Sequence, residues 1–473
     1  MNIETFFIMR HELLLTAAVL TTLLMELFGN PRKKESIIYI SMAMFGVITL
    51  IGFIPSPEGE MFGGMYISST ARLIMKNILN AGTLIALIFS VDWLKRDENK
   101  DRISEYFILL LSTLIGMNFM ISSGHFLMFY IGLELATIPI AALAAFDRYK
   151  NKSAEAGIKL ILSSSLSSGV LLYGLSLIYG VTGTLYMAET ASAFSSGGLQ
   201  TLGFIFFFAG LAFKVSTVPF HLWTADVYEG APVNVTAYLS VISKGAAVFT
   251  LIIMLFTVFP AIAATWQKVI YIVSILTMTV GNLFAIRQQN LKRFLAFSSI
   301  SQVGYILLGF IGGNELGMAA VIYYILVYIF SNLGAFGVVA AISNFSGKEN
   351  INDYKGLYRT NPALSLAMML ALFSLAGIPP VAGFFGKFFL FAAAAEKGYY
   401  ILVLIAVLNT IISLYYYLLI IKAMFLTTSE APIEQFRSGF FTKLGLGICI
   451  AGIAATGFAS ILFEAVRQYS FGI

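Results

Sequence analysis

Residues 211–221 read Leu-Ala-Phe-Lys-Val-Ser-Thr-Val-Pro-Phe-His and lie inside an apolar stretch near 201–226. About 20 apolar residues are needed to cross the roughly 30 Å of a bilayer core as a helix. Lys214 puts an ammonium inside that length, which costs about 2.5–3.5 kcal/mol at the bilayer centre. Pro219 removes a backbone donor and clashes with the preceding helical turn. We therefore expect a membrane helix that is interrupted and carries a buried charge.

The rest of the chain repeats the apolar pattern. Of its 473 residues 59% are hydrophobic and only 11% are charged, which excludes an ordinary soluble protein. About 14 stretches are long enough to cross a bilayer as helices, and we number them spans 1–14. They lie near 12–29, 35–54, 72–94, 104–121, 123–146, 155–181, 201–226, 232–258, 266–286, 292–312, 317–345, 361–397, 400–427 and 440–466. Nothing between them is long enough to form a soluble domain.

The net charge of +5 does not indicate a nucleic-acid partner, because Lys and Arg gather in alternate loops. Basic clusters follow spans 1, 3, 5, 9 and 11, whereas the loops 55–70 and 182–200 contain neither residue. Loops rich in Lys and Arg stay on the cytoplasmic side of a membrane. Both termini are therefore predicted to lie on the outer side. Cys449 is the only cysteine and the three histidines are scattered, so we expect no disulfide and no metal site.

Span 12 contains a second interruption. Residues 376–387 read Ala-Gly-Ile-Pro-Pro-Val-Ala-Gly-Phe-Phe-Gly-Lys, in which Pro379 and Pro380 should unwind the helix just before Lys387. Spans 7 and 12 begin about 97 and about 95 residues after spans 4 and 9, and matched interruptions are typical of inverted-repeat transporters. Proline and glycine are also common in membrane helices in general, which is the alternative explanation.

These features predict an all-α integral membrane protein with two inverted five-helix repeats, spans 4–8 and 9–13, and with broken helices at spans 7 and 12. An odd number of helices in each repeat turns the second copy upside down. The predicted parts are 1–103 with spans 1–3, 104–258 with the first repeat, 259–427 with the second, and 428–473 with span 14.

Four charged residues lie near the middle of predicted spans and are the expected proton carriers: Glu134, Lys214, Lys244 and Lys387. Lys159 and Lys214 are the expected partners of Glu134, either in a static ion pair or in a switchable one. The lysines could instead extend toward the membrane surface, but they lie too centrally for that. His221, two residues after Pro219, either relays a proton or caps the broken helix.

Several stretches resemble subunit N of the proton-translocating NADH–quinone oxidoreductase family, respiratory complex I. They are Phe213–Pro232, Val235–Ala247, Leu291–Ile300 and Ala376–Lys387, and the resemblance runs through all 14 spans. It implies that Glu134 pairs with Lys214, that Lys244 is a central relay and that Lys387 is the distal lysine. The family commonly has a histidine where this chain has Gln302, so the resemblance implies no histidine relay at this position.

The resemblance also implies where the subunit works. It would lie in a bacterial inner membrane beside antiporter-like subunit M and the small membrane subunits of the complex. It would bind no cofactor itself, since NADH, FMN, iron–sulfur clusters and quinone belong to other subunits. Two alternatives remain: a cation/proton antiporter subunit of the Mrp type, which needs no redox partner, and a structural spacer whose buried charges are dispensable.

Overall fold

The structure is a computed structural model that describes residues 7–29, 34–313, 315–458 and 460–469. The two chain ends and the basic residues Arg32 and Lys33, which bear on the predicted orientation, lie outside the described residues. Within the described part, 13 helices are long and apolar enough to cross a membrane. The prediction of a helical multi-pass membrane protein is therefore confirmed.

The helices are numbered in chain order, and two short strands precede α3. The first half contains α1 (Arg10–Phe28), α2 (Glu35–Gly52), β1 (Gly59–Met61), β2 (Tyr66–Ser68), α3 (Thr70–Leu94), α4 (Ile103–Ile121), α5 (Phe126–Leu135), α6 (Ile138–Ala144), α7 (Asn151–Thr182), α8 (Met187–Ala193), α9 (Gly198–Val215), α10 (Leu222–Gly230), α11 (Val233–Tyr238) and α12 (Lys244–Thr257). The second half contains α13 (Ala263–Ile286), α14 (Leu291–Gly312), α15 (Glu315–Ser346), α16 (Leu357–Thr360), α17 (Pro362–Ala376), α18 (Ala382–Glu396), α19 (Tyr400–Phe425), α20 (Phe440–Phe458) and α21 (Ser460–Tyr469).

The predicted span near 361–397 is present as α17 and α18, which have 15 residues each. A helix of that length is about 22 Å long and does not cross a bilayer core alone. The predicted span near 201–226 is likewise divided into α9 and α10. In each interrupted span, the first helix (α9 or α17) is followed by a residue with left-handed backbone conformation, Ser216 with φ 71° or Gly377 with φ 84°. A cis proline follows three residues later in each span. The inverted relation of the two repeats stays a prediction.

Three local features differ from the sequence prediction. β1 and β2 form a small antiparallel hairpin in the loop 55–70. Span 5 is not one helix, because α5 ends at Leu135 and α6 begins at Ile138 with a proline in its first turn. Span 8 is interrupted by a π-helical turn at Leu239–Ser243, and such turns occur frequently at functional sites.

The interior of the protein is formed by α3, α12, α14 and α15. Every residue of α14 except Arg293 is buried. The outer helices expose large apolar side chains instead, such as Leu166 on α7 and Leu404 on α19, which are 73% and 58% exposed. Exposed apolar surface of this extent suits lipid or neighbouring membrane subunits. Charged groups on the inner helices are therefore separated from lipid by a surrounding layer of helices.

Candidate functional site

Lys214 lies in the last turn of α9 and reaches the break between α5 and α6. Its Nζ donates to Thr137 Oγ1 at 2.8 Å and to the Ala136 carbonyl at 3.3 Å. Ala136 is the C-cap of α5, where backbone carbonyls lack partners within the helix. A positive charge at this end of a helix is stabilised by the helix dipole. The break in span 5 thus supplies the binding site of the Lys214 ammonium.

Glu134 lies in the last turn of α5, half-buried, and accepts a hydrogen bond from Ser168 of α7. It is the acidic group whose charge acts on Lys214. Among the described residues, however, no ion pair within 4.0 Å joins the two side chains. Thr137 is the side chain that holds the ammonium instead. Glu134 and Lys214, the pair expected from the sequence, are therefore within electrostatic reach of each other but do not form an ion pair in this structure.

Lys159 does not contact Glu134, which corrects one of the two expected pairings. Its Nζ is 2.7 Å from Asp226 Oδ2 and 2.6 Å from Glu155 Oε1, and its side chain is 42% exposed. Arg293 also pairs with Asp226, at 2.6 Å. Lys159 belongs to this charged network at the membrane edge because it lies near the start of α7, away from the centre of the bundle.

Glu229 extends the same network on α10. Its carboxylate is 2.9 Å from Lys152 Nζ and 3.1 Å from Arg293 Nη1. Burial acts to raise the pKa of this carboxyl, but the hydrogen bonds and charges of the two cations outweigh burial and hold the pKa below its usual range. The two cations therefore favour the carboxylate form of Glu229.

The break between α9 and α10 has its backbone groups satisfied by side chains. Trp223 Nε1 donates to the Phe213 carbonyl at 3.0 Å, and Thr277 Oγ1 accepts from the Val218 amide at 3.1 Å. Such partners are required where a helix is interrupted in a membrane. His221 begins α10 as its N-cap residue and is buried, but its side chain makes no cap hydrogen bond. Its imidazole also lies within reach of the charge of Lys244.

Lys244 begins α12, directly after the π-helical turn. Its Nζ donates to Ser299 Oγ of α14 at 2.7 Å and lies 5.2 Å from the ring centroid of Tyr228. The residue is only 3% exposed. A hydroxyl and an aromatic face, rather than a carboxylate, are thus its contacts in the described structure.

Polar side chains continue along α14 from this point. Gln302 follows Ser299 by three residues and Tyr305 follows Gln302 by three, so each of these side chains neighbours the next on the helix surface. Gln302 Nε2 donates to the Leu375 carbonyl at 3.1 Å, and its Oε1 accepts from the Tyr324 hydroxyl. Gln302 is completely buried. It therefore joins α14 to the end of α17.

Lys387 lies on α18 next to that same end. Its Nζ donates to the Ala376 carbonyl at 3.1 Å and lies 4.5 Å from the ring centroid of Tyr305. Ala376 is the last residue of α17, so the ammonium again meets the carbonyl end of an interrupted helix. Pro379 and Pro380 lie in the break that leads the chain back so that Lys387 can reach this carbonyl.

The structure therefore brings Glu134 near Lys214, whereas Lys244 and Lys387 contact α14 at separate positions, Ser299 and Tyr305. Sequence reasoning missed the uncharged partners that hold them: Thr137, Ser168, Tyr228, Ser299 and Tyr305. The signal for Ser299 and Tyr305 was available, since they are spaced three residues either side of Gln302. In the part of the chain that the structure describes, no group of three or more His, Cys, Asp or Glu side chains is placed to hold a metal ion.

Interrupted helices with buried lysines at their ends define a class of ion-translocating multi-pass membrane proteins. Residues 123–413 match the family described as NADH:quinone oxidoreductase/Mrp antiporter, TM. The chain is 51% identical to NADH-quinone oxidoreductase subunit N of Phocaeicola vulgatus, over 98% of each chain. It is 49% identical to the subunit N of Azobacteroides pseudotrichonymphae, over 100% of this chain and 99% of that one. The chain belongs to this family.

Solved structures agree with that assignment. A chain of respiratory complex I from Thermus thermophilus is 28% identical, with a TM-score of 0.81 over 96% of this chain and 99% of that chain. A chain of the Mrp complex from Dietzia sp. has a TM-score of 0.85 over 99% and 97% of the two chains. At 23% identity the second likeness shows a shared fold alone.

Proposed function

We propose that this chain is the subunit N of an NADH–quinone oxidoreductase and that it moves protons across the membrane. The observation that carries the proposal is the series of buried polar side chains along α14. Lys244 contacts Ser299 at one end of the series, Lys387 contacts Tyr305 at the other, and Gln302 lies between them, all in the protein interior. The identity to curated subunits N over the whole chain supports the same function.

In the proposed mechanism, a neighbouring subunit changes the distance between Glu134 and Lys214. Bringing the carboxylate closer stabilises the ammonium, and withdrawing it favours release of a proton to water. That proton reaches Lys244, and Lys387 receives it in turn and releases it outward. The proposed role of Pro219, Pro379 and Pro380 is to interrupt the helices, so that the lysine side chains can reach the ends of helices. The Glu134–Lys214 pair suits this role because each member has an uncharged partner of its own, Ser168 for Glu134 and Thr137 for Lys214.

Three further residues take supporting roles in the proposal. Gln302 orients water on the way to Lys387 but does not itself carry a proton. Lys159 serves at the membrane edge, where its network with Asp226 sets the local charge. His221 lies within electrostatic reach of Lys244 and either relays the proton or positions Lys244 electrostatically.

The chain is proposed to act as a non-redox subunit of the enzyme. NADH, FMN, iron–sulfur clusters and quinone would bind in other subunits, so quinone chemistry elsewhere supplies the energy. The partners proposed are antiporter-like subunit M and the small membrane subunits, within a bacterial inner membrane and with both chain termini outside. The distribution of Lys and Arg among the loops supports that orientation.

The second function considered is that of an Mrp-type cation/proton antiporter subunit. The observation in its favour is the fold likeness to the Mrp complex chain. Fold alone does not decide between the two functions, because related folds serve different activities. The 51% identity to a subunit N over nearly the entire chain favours the oxidoreductase.

The test is a Lys214→Ala exchange in the assembled complex, with Lys268→Ala as the control because Lys268 is an exposed lysine on α13. NADH oxidation and proton uptake are measured together in sealed vesicles. We expect coupled turnover to be lost in the first variant and kept in the second. Equal pumping by both variants would contradict the proposal and leave the spacer role. Sodium-dependent exchange without NADH would favour the antiporter.

A further inference from the structure

A buried ion pair lies at the membrane edge where α1 and α3 begin, far along the chain from the lysines considered above. Lys76 Nζ is 2.6 Å from Glu12 Oε1 and donates to the Tyr66 hydroxyl at 2.9 Å. The Tyr66 hydroxyl donates to Glu12 Oε2 at 3.0 Å. The side chains of Lys76 and Glu12 are 0% and 2% exposed. All three groups are thus joined in a closed, buried triad.

Stability alone is a weak reason for such a pair. Removing two charges from water offsets most of their attraction, and apolar side chains in their place are often at least as stabilising. Three charged or titratable residues, Arg10, His11 and Arg72, lie within electrostatic reach of the triad. Arg10 bonds the carbonyl of Gly52, His11 bonds Asn77, and Arg72 lies one turn before Lys76. A buried, hydrogen-bonded acid and base side by side are suited to exchange a proton.

Polar groups continue from the triad along α3. Asn80 lies one turn after Lys76 on the same helix face and is completely buried. Neither its amide nitrogen nor its amide oxygen has a hydrogen-bond partner among the described residues. Buried amides in proteins are nearly always bonded, to protein groups or to ordered water. An amide in this position is therefore a place where water is expected.

The same face then reaches span 8. Thr83, three residues after Asn80, interacts with the hydroxyl of Tyr238. The Tyr238 hydroxyl also forms a 2.8 Å hydrogen bond with the hydroxyl of Thr113. Tyr238 ends α11, directly before the π-helical turn that leads to Lys244. From Lys76 to Thr83 the face rises about 10 Å, given 1.5 Å per residue. The row of polar groups thus joins the membrane edge to the helix that carries the central lysine.

We propose that the face of α3 formed by Lys76, Asn80 and Thr83 is a hydrated proton path between the membrane edge at Glu12 and span 8 at Tyr238. The path rests on the proposed proton translocation and adds a route through the N-terminal helices. Lys76 passes one proton to the Glu12 carboxylate, leaving a neutral amine and a carboxylic acid. The acid releases that proton to water at the edge, and water at Asn80 returns one to the amine. The ammonium and the carboxylate are restored after the full cycle, in which one proton is released at Glu12 and one is taken up at Lys76.

Water access is tested by placing single cysteines on α3. The background is the assembled complex with Cys449→Ser, and Asn80→Cys is compared with Leu87→Cys, since both positions are 0% exposed on the same helix. Membrane vesicles are treated with Ag⁺, and protection of each thiol from later maleimide labelling is measured by mass on this chain. We expect position 80 to be protected at least about tenfold faster, because thiol reactivity requires access. Equal rates at the two positions would overturn the proposal.

A second comparison separates conduction from packing. Asn80→Leu keeps the number and branching of the side-chain heavy atoms but removes polarity, whereas Asn80→Ser leaves a hydroxyl and space for water. A packing role predicts that Leu is tolerated better than Ser, since it replaces an unbonded amide by an apolar group. A hydrated path predicts the reverse order in protons pumped per NADH oxidised. Better pumping by the Leu variant than by the Ser variant would refute the path.

These results are distinguishable from failure of the main proposal. If Lys214→Ala abolishes pumping while position 80 is as inaccessible as position 87, only the path through α3 is wrong. If position 80 is accessible and Lys214→Ala still pumps, the path is hydrated but the proposed function of the lysines fails. The thiol measurement does not depend on turnover, so it also applies to inactive variants.

Discussion

Replacing Ser299 by alanine should impair proton transfer through Lys244 more than any comparable change on α14. The Ser299 hydroxyl is the one hydrogen-bond partner of the Lys244 ammonium among the described residues, at 2.7 Å. The Tyr228 ring would remain at 5.2 Å, too far to replace a hydrogen bond. Removal of a hydrogen bond to a charged group costs about 1.5–3 kcal/mol. Each 1.4 kcal/mol is a factor of about ten in an equilibrium constant, so the charged form of Lys244 should become about 10–150-fold less favoured.

The assay is the ratio of protons pumped to NADH oxidised, measured with the purified complex in proteoliposomes. We expect this ratio or the coupled rate to fall about tenfold or more, in line with the lower limit of that loss. The matched control is Ser301→Ala, since Ser301 is equally buried on the same helix but bonds the Ser298 carbonyl at 2.8 Å. If both alanine variants pump alike, the Lys244–Ser299 contact has no part in translocation and the row along α14 loses its first step.

Three further predictions concern assembly, pH and the membrane edge. Gly383→Ala should prevent stable assembly, because a Cβ there would lie 1.7 Å from the Ser374 carbonyl oxygen. A Cβ at Gly169 would meet no atom of the described residues within 4 Å, so Gly169→Ala should assemble normally, as judged by the yield of intact complex. Glu229→Gln should reduce the loss of thermal stability at low pH. The lowered pKa of Glu229 stabilises the fold fully above its ordinary value of 4.5, and that contribution is lost as the pH falls below 4.5 and through the folded-state pKa. The melting temperature of the wild type should therefore fall more than that of the variant between pH 7 and about pH 3. Lys159→Met should change the coupled rate by no more than about twofold, because exposed ion pairs contribute little to stability. A loss of coupled rate as large as that of Lys214→Ala would show instead that the charged network at the membrane edge carries protons.

The class of protein and its buried charges could be predicted from the sequence because both depend on local chemistry. Apolar length alone predicts membrane spans, and Pro219, Pro379 and Pro380 disrupt a helix whatever surrounds them. The positions of Lys214 and Lys387 inside apolar stretches likewise required no knowledge of the fold. The break in span 5 was missed, although Pro139 near the start of α6 was visible, because proline in a membrane helix does not always end it.

The partners of those charges were decided by the tertiary structure. Lys214 bonds Thr137, which is 77 positions away in the sequence, and Lys244 bonds Ser299, which is 55 positions away. No periodicity within one span specifies which face of another helix it will meet. For the same reason Lys159, placed near Glu134 by its position in span 6, pairs with Asp226 instead. Hydrophobic length and backbone chemistry act within one segment of the chain. The site consists of contacts between segments, and these contacts form only when the helices pack against one another.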